Sequence, residues 1–320
     1  MLSLPQTGFS KSVNVNNVDR EALGDWLEAS ALFGDDQFSM TDVADILVEQ
    51  GVVSTPDYQD EEVEDDDQDL ANRIAMEGWV ELRNRLKSSG PARNFQVGVD
   101  VVKTTGCWTT DPVRSFLVLL SLNPLYTNWA AACREIGDQG LLFERVSANA
   151  CERIFEGWHV YRAGWSAEGA KSIPQIVADL SDLLGVRGST NLEDWVGRSA
   201  KDAGLDLLCF RQFPDRQECV PYLAIQCASG HNWTSKLQQP STNTWQGLLG
   251  AMYQPMRGLT IPFVVDDLKR KQSCGQIEGP LFDRNRLLSA GSHIDEWMPD
   301  MADELINWCR PRIELLQKTE

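Results

Sequence analysis

Residues 201–236, KDAGLDLLCFRQFPDRQECVPYLAIQCASGHNWTSK, predict the fold of this chain most directly. Two apolar runs rich in strand-forming residues, Gly204–Phe210 and Val220–Cys227, are joined by a nine-residue connection with a Pro-Asp turn signal. This pattern predicts a β-hairpin. Each run also carries one polar residue, Asp206 or Gln226, where burial without a partner is costly. We therefore expect both side chains to have a role beyond packing.

The sequence on either side of the hairpin predicts an α+β fold with a small mixed β-sheet flanked by helices. From residue 141 the expected order is helix, strand, helical insertion, strand, hairpin, strand, helix and strand. The expected spans outside the hairpin are helices over 141–155, 173–184, 192–200, 245–254, 282–288 and 294–316 and strands over 159–163 and 259–265.

Residues 1–95 predict a separate helical region, and 96–320 a second domain that includes the C-terminal helices. Helices are expected over 19–32, from Ser39 onward and over 70–87. Within 39–53, a helix-start signal at Ser39 and a Gly-Val-Val run after the helix are compatible with a winged-helix module. A plain helical packing unit is the favoured interpretation, because this region is acidic and DNA readers are basic.

Residues 57–69, DYQDEEVEDDDQD, carry nine carboxylates in thirteen positions. Such a charge run is typical of a solvated acidic loop. The alternative is an acidic tether that mimics nucleic acid or docks on a basic partner.

The charge of the whole chain restricts its partners. The formal net charge is −18, from 47 acidic and 29 basic residues. Lys and Arg supply most of the phosphate affinity of nucleic-acid-binding proteins. Either the basic residues cluster in one cleft, or a partner supplies the grip on nucleic acid, or the chain does not bind nucleic acid.

Several classes of protein are disfavoured by what the sequence contains. Eight scattered cysteines without a C-x-x-C pair favour reduced thiols of a cytoplasmic protein over a disulfide frame or a zinc site. We expect neither a secretory signal nor a membrane span. Three histidines, without a P-loop or a G-x-G-x-x-G motif, argue against hydrolase triads and nucleotide hydrolysis.

The polar residues of the hairpin suit a magnesium ion. Mg²⁺ prefers oxygen ligands and usually takes one or two protein carboxylates together with waters and phosphate oxygens. Asp206 supplies a carboxylate, Gln226 an amide oxygen and Cys227 its backbone carbonyl oxygen. Lys236 is the nearest cation after the second strand, and it is placed to orient or deprotonate an attacking water and to offset negative charge on phosphate.

These residues resemble the PD-(D/E)xK nucleases, the restriction-endonuclease-like superfamily, over residues 141–290. Gly204-Leu-Asp206 matches the Asp motif, Gln226 the acidic-or-Gln position, and Phe143-Glu144-Arg145 the glutamate of the preceding helix. The Gln-Cys-Ala-Ser-Gly run and FDRNRLL at 282–288 look like a bacterial, defence-associated subgroup. The resemblance implies a DNA endonuclease that uses Mg²⁺ or Mn²⁺, with Glu144, Asp206, Gln226 and Lys236 as its catalytic residues.

The resemblance also implies partners. We expect DNA as substrate, an ATPase or sensor protein in an anti-phage or anti-plasmid complex, no membrane, and a possible homo-oligomer. One departure from the family pattern is that Ala228, two positions after Gln226, stands where the lysine is expected. The resemblance therefore implies that the amine has moved to Lys236 and that a single metal ion binds weakly until DNA phosphate joins the site.

The alternative function is a catalytically weak or inactive nuclease-fold scaffold that docks a partner. Under it Asp206 makes a hairpin or salt-bridge contact, and Gln226 is an ordinary buried amide. Lys236 is then a surface lysine, and Glu144 a solvent-facing residue of its helix.

Overall fold

The structure is a computed structural model that describes residues 1–9, 19–53, 63–133, 139–163, 171–196, 203–215, 217–291 and 297–318, with the backbone alone for 63–66. The chain forms two compact units. Unit 1 comprises Met1–Gly137 and Ser292–Glu320, and unit 2 comprises Asp138–Gly291. The sequence predicts a boundary after residue 95, whereas the units divide after Gly137 and after Gly291.

The first part of unit 1 contains α1 (Arg20–Phe33), β1 (Gln37–Ser39), α2 (Met40–Glu49), α3 (Val63–Ser89), β2 (Phe95–Val97), β3 (Val101–Thr104), α4 (Pro112–Leu122) and α5 (Thr127–Cys133). Unit 2 contains α6 (Gln139–Ile154), β4 (His159–Arg162), α7 (Ile173–Leu184), β5 (Leu207–Phe210), β6 (Tyr222–Cys227), α8 (Thr242–Leu249), β7 (Met256–Thr260), α9 (Asp267–Ile277), β8 (Leu281–Phe282) and α10 (Arg284–Ser289). Helix α11 (Pro299–Gln317) belongs to unit 1.

Local signals start the first helices of unit 1. The Asp19 side chain accepts hydrogen bonds from the backbone N–H groups of Glu21 and Ala22 at the start of α1. Ser39 and Asp42 form a capping box at the start of α2. Strands β1, β3 and β2 lie in that order in a three-stranded antiparallel sheet. The helices and strands of this segment follow one another in the order α1-β1-α2-α3-β2-β3, so it contains a sheet as well as helices.

The pairing also explains why the unit boundary lies beyond residue 95. Strands β2 and β3 complete the sheet begun by β1, and α4 packs against α1 and α11. Residues 95–122 therefore share the core of the N-terminal helices. The contacts that decide this connect segments far apart in sequence.

Unit 2 is built on a five-stranded mixed sheet in the order β4-β5-β6-β7-β8. The pairs β4–β5 and β5–β6 are antiparallel, and β6–β7 and β7–β8 are parallel. Helix α6 packs on β4, β5 and β6, and α7 and α8 contribute to the apolar cluster that contains Leu208, Phe210 and Ala224. The fold is therefore α+β, with small sheets flanked by helices and a helical N-terminal region, as the sequence predicts.

Several sequence predictions of individual elements need correction. The strand expected over 259–265 is Met256–Thr260, and the helix expected over 245–254 ends at Leu249. Helix α3 begins at Val63, so 63–69 are helical rather than part of an acidic loop, and 57–62 lie outside the described residues. The helix expected over 192–200 is a 3-10 turn, Leu192–Asp194, in its described part. Helix α9 was not expected, because its buried residues are only Ser273 and Ile277 and an apolar stripe is missing.

No single helix in the described ranges is long and apolar enough to cross a membrane. Helices α4 and α5 satisfy the length and composition requirement only when taken together, and they are bent by 116° at their junction.

Candidate active site

The hairpin of unit 2 places Asp206 beside Gln226. The β5–β6 ladder ends at the pair Leu207 and Ile225, and the backbone N–H of Asp206 donates to the Ile225 carbonyl at 3.0 Å, so Asp206 lies just beyond the end of the ladder, next to Gln226. Gly204 precedes this point with φ +73°, and a Cβ at that position would lie 3.4 Å from Gln226 Oε1. A glycine therefore allows both the left-handed turn and the close approach of the amide.

The Asp206 carboxylate joins the ends of the two strands. Its Oδ2 accepts hydrogen bonds from the Gln226 Nε2 amide and from the Cys227 backbone N–H, the latter at 2.6 Å. Gln226 is buried at 7% exposure, and its Nε2 lies 3.4 Å from the Cys227 carbonyl oxygen. The three residues that the sequence assigns to a metal therefore come together at one point.

Helix α6 brings Glu144 to the same region. Glu144 is buried at 6% exposure, so the solvent-facing alternative for this residue is wrong. Its Oε1 accepts a hydrogen bond from Arg162 Nε on β4 at 3.0 Å. Burial raises the pKa of the Cys227 thiol well above its ordinary value, and the charges of Asp206 and Glu144 raise it further. Both carboxylates thus act on one buried thiol, which keeps its proton.

Lys236 ends the 3-10 turn Trp233–Lys236 and is half-buried. It lines the same cavity as Gln226, so residues 226 and 236 border one space. That cavity has a volume of about 400 Å³. Its lining residues are Ala203, Gly204, Gln226, Lys236, Gln238, Gln239 and Ser241.

The structure gives a physical reason for alanine at position 228. Ala228 has 0% exposure and packs in an apolar cluster with Trp233, Leu237 and Leu259. A lysine in this cluster would bury an ammonium group among apolar side chains, where it lacks a partner. Position 228 is therefore a core position in this chain, and an amine for the site has to come from elsewhere.

The donor set at the hairpin fits a hard cation after one local change. Mg²⁺ needs oxygen ligands, and Gln226 turns its Nε2 toward Asp206. Rotating this amide by half a turn exchanges its nitrogen and oxygen and leaves the side chain otherwise in place. The carboxylate, the amide oxygen and the Cys227 carbonyl then form an all-oxygen set.

Within the described part of the chain, no group of three or more His, Cys, Asp or Glu side chains is arranged to hold a metal ion. The set at the hairpin is of a different kind, because two of its three donors are an amide and a backbone carbonyl.

Two residues near the site were not expected from the sequence. Arg162 forms an ion pair with Glu144. Arg257 on β7 is buried at 7% exposure, and it donates a hydrogen bond to the stretch of chain that lines the cavity. The sequence gave no signal for Arg257, because it lies outside the strand expected over 259–265 and belongs to a strand only in the structure, where β7 is Met256–Thr260. For Arg162, at the end of a short edge strand, the sequence offers no signal either.

FDRNRLL has a structural role in unit 2. Asp283 accepts a hydrogen bond from the Arg286 backbone N–H at the start of α10, and its carboxylate pairs with Arg270 at 2.7 Å. These contacts attach α10 to α9 and do not involve the cavity residues.

Comparison with protein-family models found no matching family, and searches of curated proteins and of solved structures found no match to this chain.

Proposed function

We propose that unit 2 is a metal-dependent DNA endonuclease that hydrolyses phosphodiester bonds. The observation that carries the proposal is the hydrogen-bonded pair Asp206 and Gln226, of which Gln226 lines one cavity with Lys236. The order of helices and strands in unit 2 and the burial of Glu144 beside this pair support it further. The resemblance to PD-(D/E)xK nucleases supplies the reaction class.

Each residue has a defined task in this proposal. Asp206, Gln226 and the Cys227 carbonyl would hold Mg²⁺ or Mn²⁺. A bound Mg²⁺ supplies Lewis-acid activation of the phosphodiester and lowers the pKa of a coordinated water. The Lys236 amine donates hydrogen bonds to the phosphate oxygens and offsets the charge that develops on them. Glu144, held by Arg162, supplies a second negative charge beside the metal ligands.

The charge of the chain shapes the biological part of the proposal. A net charge of −18 disfavours phosphate binding by the chain alone, so a protein partner, an ATPase or a sensor, supplies DNA affinity and control. We place the enzyme in the bacterial cytoplasm as the effector subunit of an anti-phage or anti-plasmid complex, a role that is compatible with a homo-oligomer.

Cleavage of supercoiled plasmid tests this function. The purified chain, alone and with its candidate partner proteins, is incubated with Mg²⁺, Mn²⁺ or EDTA, and a matched RNA is a second substrate. We expect metal-dependent nicking that Asp206→Ala lowers by about 100-fold or more, because the only aspartate ligand is lost. Asp215→Ala, in the exposed turn of the same hairpin, is the matched control. Equal nicking by wild type and Asp206→Ala would sink the proposal.

One observation favours the scaffold as a second candidate. The carboxylates of the site already have protein partners, Arg162 for Glu144 and the Gln226 amide and Cys227 N–H for Asp206. A scaffold that docks a partner needs no carboxylate available for a metal ion, so carboxylates that are already bonded within the protein are sufficient for it. It predicts unchanged biological activity after Gln226→Ala and Lys236→Ala and loss of activity after deletion of 57–69.

A further inference from the structure

The position of Lys236 depends on a segment outside the sheet. Residues 233–241, which we call the lysine segment, leave the sheet after β6 and run to the start of α8. In the usual family pattern a strand register places the catalytic amine, whereas here a loop carries it. Other contacts must therefore hold the lysine segment against the cavity.

The beginning of the lysine segment is held by apolar packing. Trp233 is 4% exposed and Leu237 is 7% exposed, and both belong to the cluster that contains Ala228 and Ile277. The Lys269 ammonium of α9 lies 5.7 Å from the centroid of a Trp233 ring. This contact adds a cation–π attraction at the amino-terminal part of the helix.

The end of the lysine segment is held by Arg257. Its Nε donates to the Pro240 carbonyl oxygen at 2.9 Å, and its Nη1 donates to Gln238 Oε1 at 3.3 Å and to the Ile277 carbonyl oxygen at 3.0 Å. Gln238 in turn donates from Nε2 to the Gln276 carbonyl oxygen at 2.5 Å. One buried guanidinium thus ties two residues of the segment to the carboxyl end of α9.

The chemistry of arginine suits this position. A guanidinium presents its donors in a rigid planar fork, so it fixes several acceptors at once with little loss of side-chain entropy. A positive charge beside the last carbonyls of α9 also interacts favourably with the helix dipole. The Glu278 carboxylate lies 4.0 Å from Arg257 and its side chain is 78% exposed, so this ion pair contributes little and the hydrogen bonds to backbone carbonyls dominate.

The hydrogen bonds by which Arg257 holds the lysine segment are called the clamp below. The location of Arg257 in the sheet links this clamp to the proposed metal ligands. Arg257 pairs with Ala224 on β6, and two positions further along the same parallel ladder Leu259 pairs with Gln226. The strand that carries the clamp therefore lies beside the strand that carries the site amide. Any shift of the lysine segment relative to Gln226 has to break contacts to this neighbouring strand.

We propose that Arg257 is the positioning residue for Lys236, holding the lysine segment so that the amine faces the cavity beside Gln226. The proposal rests on the proposed nuclease function for its catalytic consequence. Arg257 contacts no substrate in this scheme and acts only through residues 238 and 240. In this proposal β7 and α9 place the amine of Lys236. In the family pattern, the strand that corresponds to β6 places it.

Two variants test the clamp. Arg257→Met keeps a long side chain but removes every donor, and Gln238→Ala removes one link from an exposed residue, so that the test survives if the first variant folds poorly. Arg270→Lys is the matched control, because Arg270 also connects α9 to neighbouring elements but bonds to Val265 and Asp283, outside the cavity. Circular dichroism and thermal melting report the folded fraction of each protein.

Three measurements separate positioning from general stability. Hydrogen exchange measures how often the backbone N–H groups of 236–241 open to solvent. Pulse labelling with an amine-reactive reagent measures the accessibility of the Lys236 amine, and steady-state kinetics separate kcat from KM. For Arg257→Met we expect exchange in 236–241 and labelling of Lys236 to rise about 10-fold or more per folded molecule. We expect kcat to fall by about 100-fold with KM little changed, because a displacement of the order of 1 Å is enough for this loss. Gln238→Ala should change all three in the same direction by less.

The outcomes distinguish the clamp from the nuclease. If wild type cleaves no nucleic acid under any condition, the nuclease proposal fails, while exchange and labelling still decide whether Arg257 holds the segment. Unchanged exchange and labelling in both Arg257→Met and Gln238→Ala would overturn the clamp. So would a wild-type kcat for Arg257→Met in a protein that loses activity on Lys236→Ala. Equal effects of Arg270→Lys on 236–241 would also contradict it, since they would indicate general loosening of α9.

Discussion

The two units bury charged side chains in different ways. In unit 1, Arg85 contacts Asp25 at 2.6 Å and Arg114 contacts Glu28 at 2.9 Å, and both guanidinium groups are at most 2% exposed. In unit 2, Glu144 pairs with an arginine whose side chain is 38% exposed, and the hairpin amide lines an open cavity. Removing one partner of a buried pair leaves a charge without compensation and is strongly destabilising, whereas a charged residue that lines a cavity, such as Lys236, is accessible to a ligand.

The largest effect is expected from breaking the buried network of unit 1. Glu28 contacts both Arg114 and Arg85, the latter at 3.6 Å. Glu28→Ala therefore removes one carboxylate partner from each of two buried guanidinium groups. We expect the free energy of unfolding to fall by about 3–5 kcal/mol. Urea unfolding measures the change, with Glu49→Ala on the exposed face of α2 as control. A loss no greater than that of the control would remove the distinction between the units.

A lysine at position 228 tests why the amine lies elsewhere. Ala228→Lys places an ammonium group in the apolar cluster of Trp233 and Leu237, so we expect a loss of about 2 kcal/mol or more. We also expect no recovery of cleavage when this change is added to Lys236→Ala. Chemical denaturation and the plasmid assay measure the two effects. Recovered cleavage in a stable double variant would show that position 228 still belongs to the site.

A smaller effect is expected at the turn that leads into the hairpin. Gly204→Ala introduces a Cβ at φ +73° and 3.4 Å from Gln226 Oε1, so we expect a loss of about 1 kcal/mol and reduced cleavage per folded molecule. Gly275→Ala, in a helix with open space around the new methyl group, is the control. A stable and fully active Gly204→Ala would contradict the need for a glycine at this left-handed turn.

The smallest effect is expected for an exposed ion pair of unit 2. Lys171 and Asp179 lie 2.6 Å apart with side chains 48% and 40% exposed. Hydrogen bonds to Lys171 and Tyr161 lower the pKa of Asp179, and the bonds to Asp179 and Tyr161 raise the pKa of Lys171. The stabilisation is therefore lost as pH falls through the lowered pKa of Asp179 and as pH rises through the raised pKa of Lys171.

Because solvent screens this pair, we expect Asp179→Asn to change the free energy of unfolding by no more than a few tenths of a kcal/mol near neutral pH. Urea unfolding of wild type and Asp179→Asn at several pH values measures it. A loss comparable to that of Glu28→Ala would contradict the comparison between buried and exposed pairs.

Local patterns in the sequence predicted many elements of the fold and the facing strands of the hairpin. The starts of α1 and α2 follow from Asp19 and Ser39, whose side chains cap helices through contacts within three residues. Strand alternation placed Asp206 and Gln226 on paired strands, although β5 begins only at Leu207. Helix α9 lacks an apolar stripe, so periodicity gave no signal for it.

The sequence by itself determined the α+β class, and it predicted the hairpin with one polar residue on each of its strands, because propensity, turns and alternation act over a few residues. Only the tertiary structure decided that residues 95–122 belong with unit 1, that Glu144 is buried and held by Arg162, and that Arg257 ties the lysine segment to β7 and α9. These features depend on contacts between distant segments, and the packing of Ala228 is the clearest case. A single alanine looks like a missing catalytic lysine in the sequence, and the fold makes it a core residue.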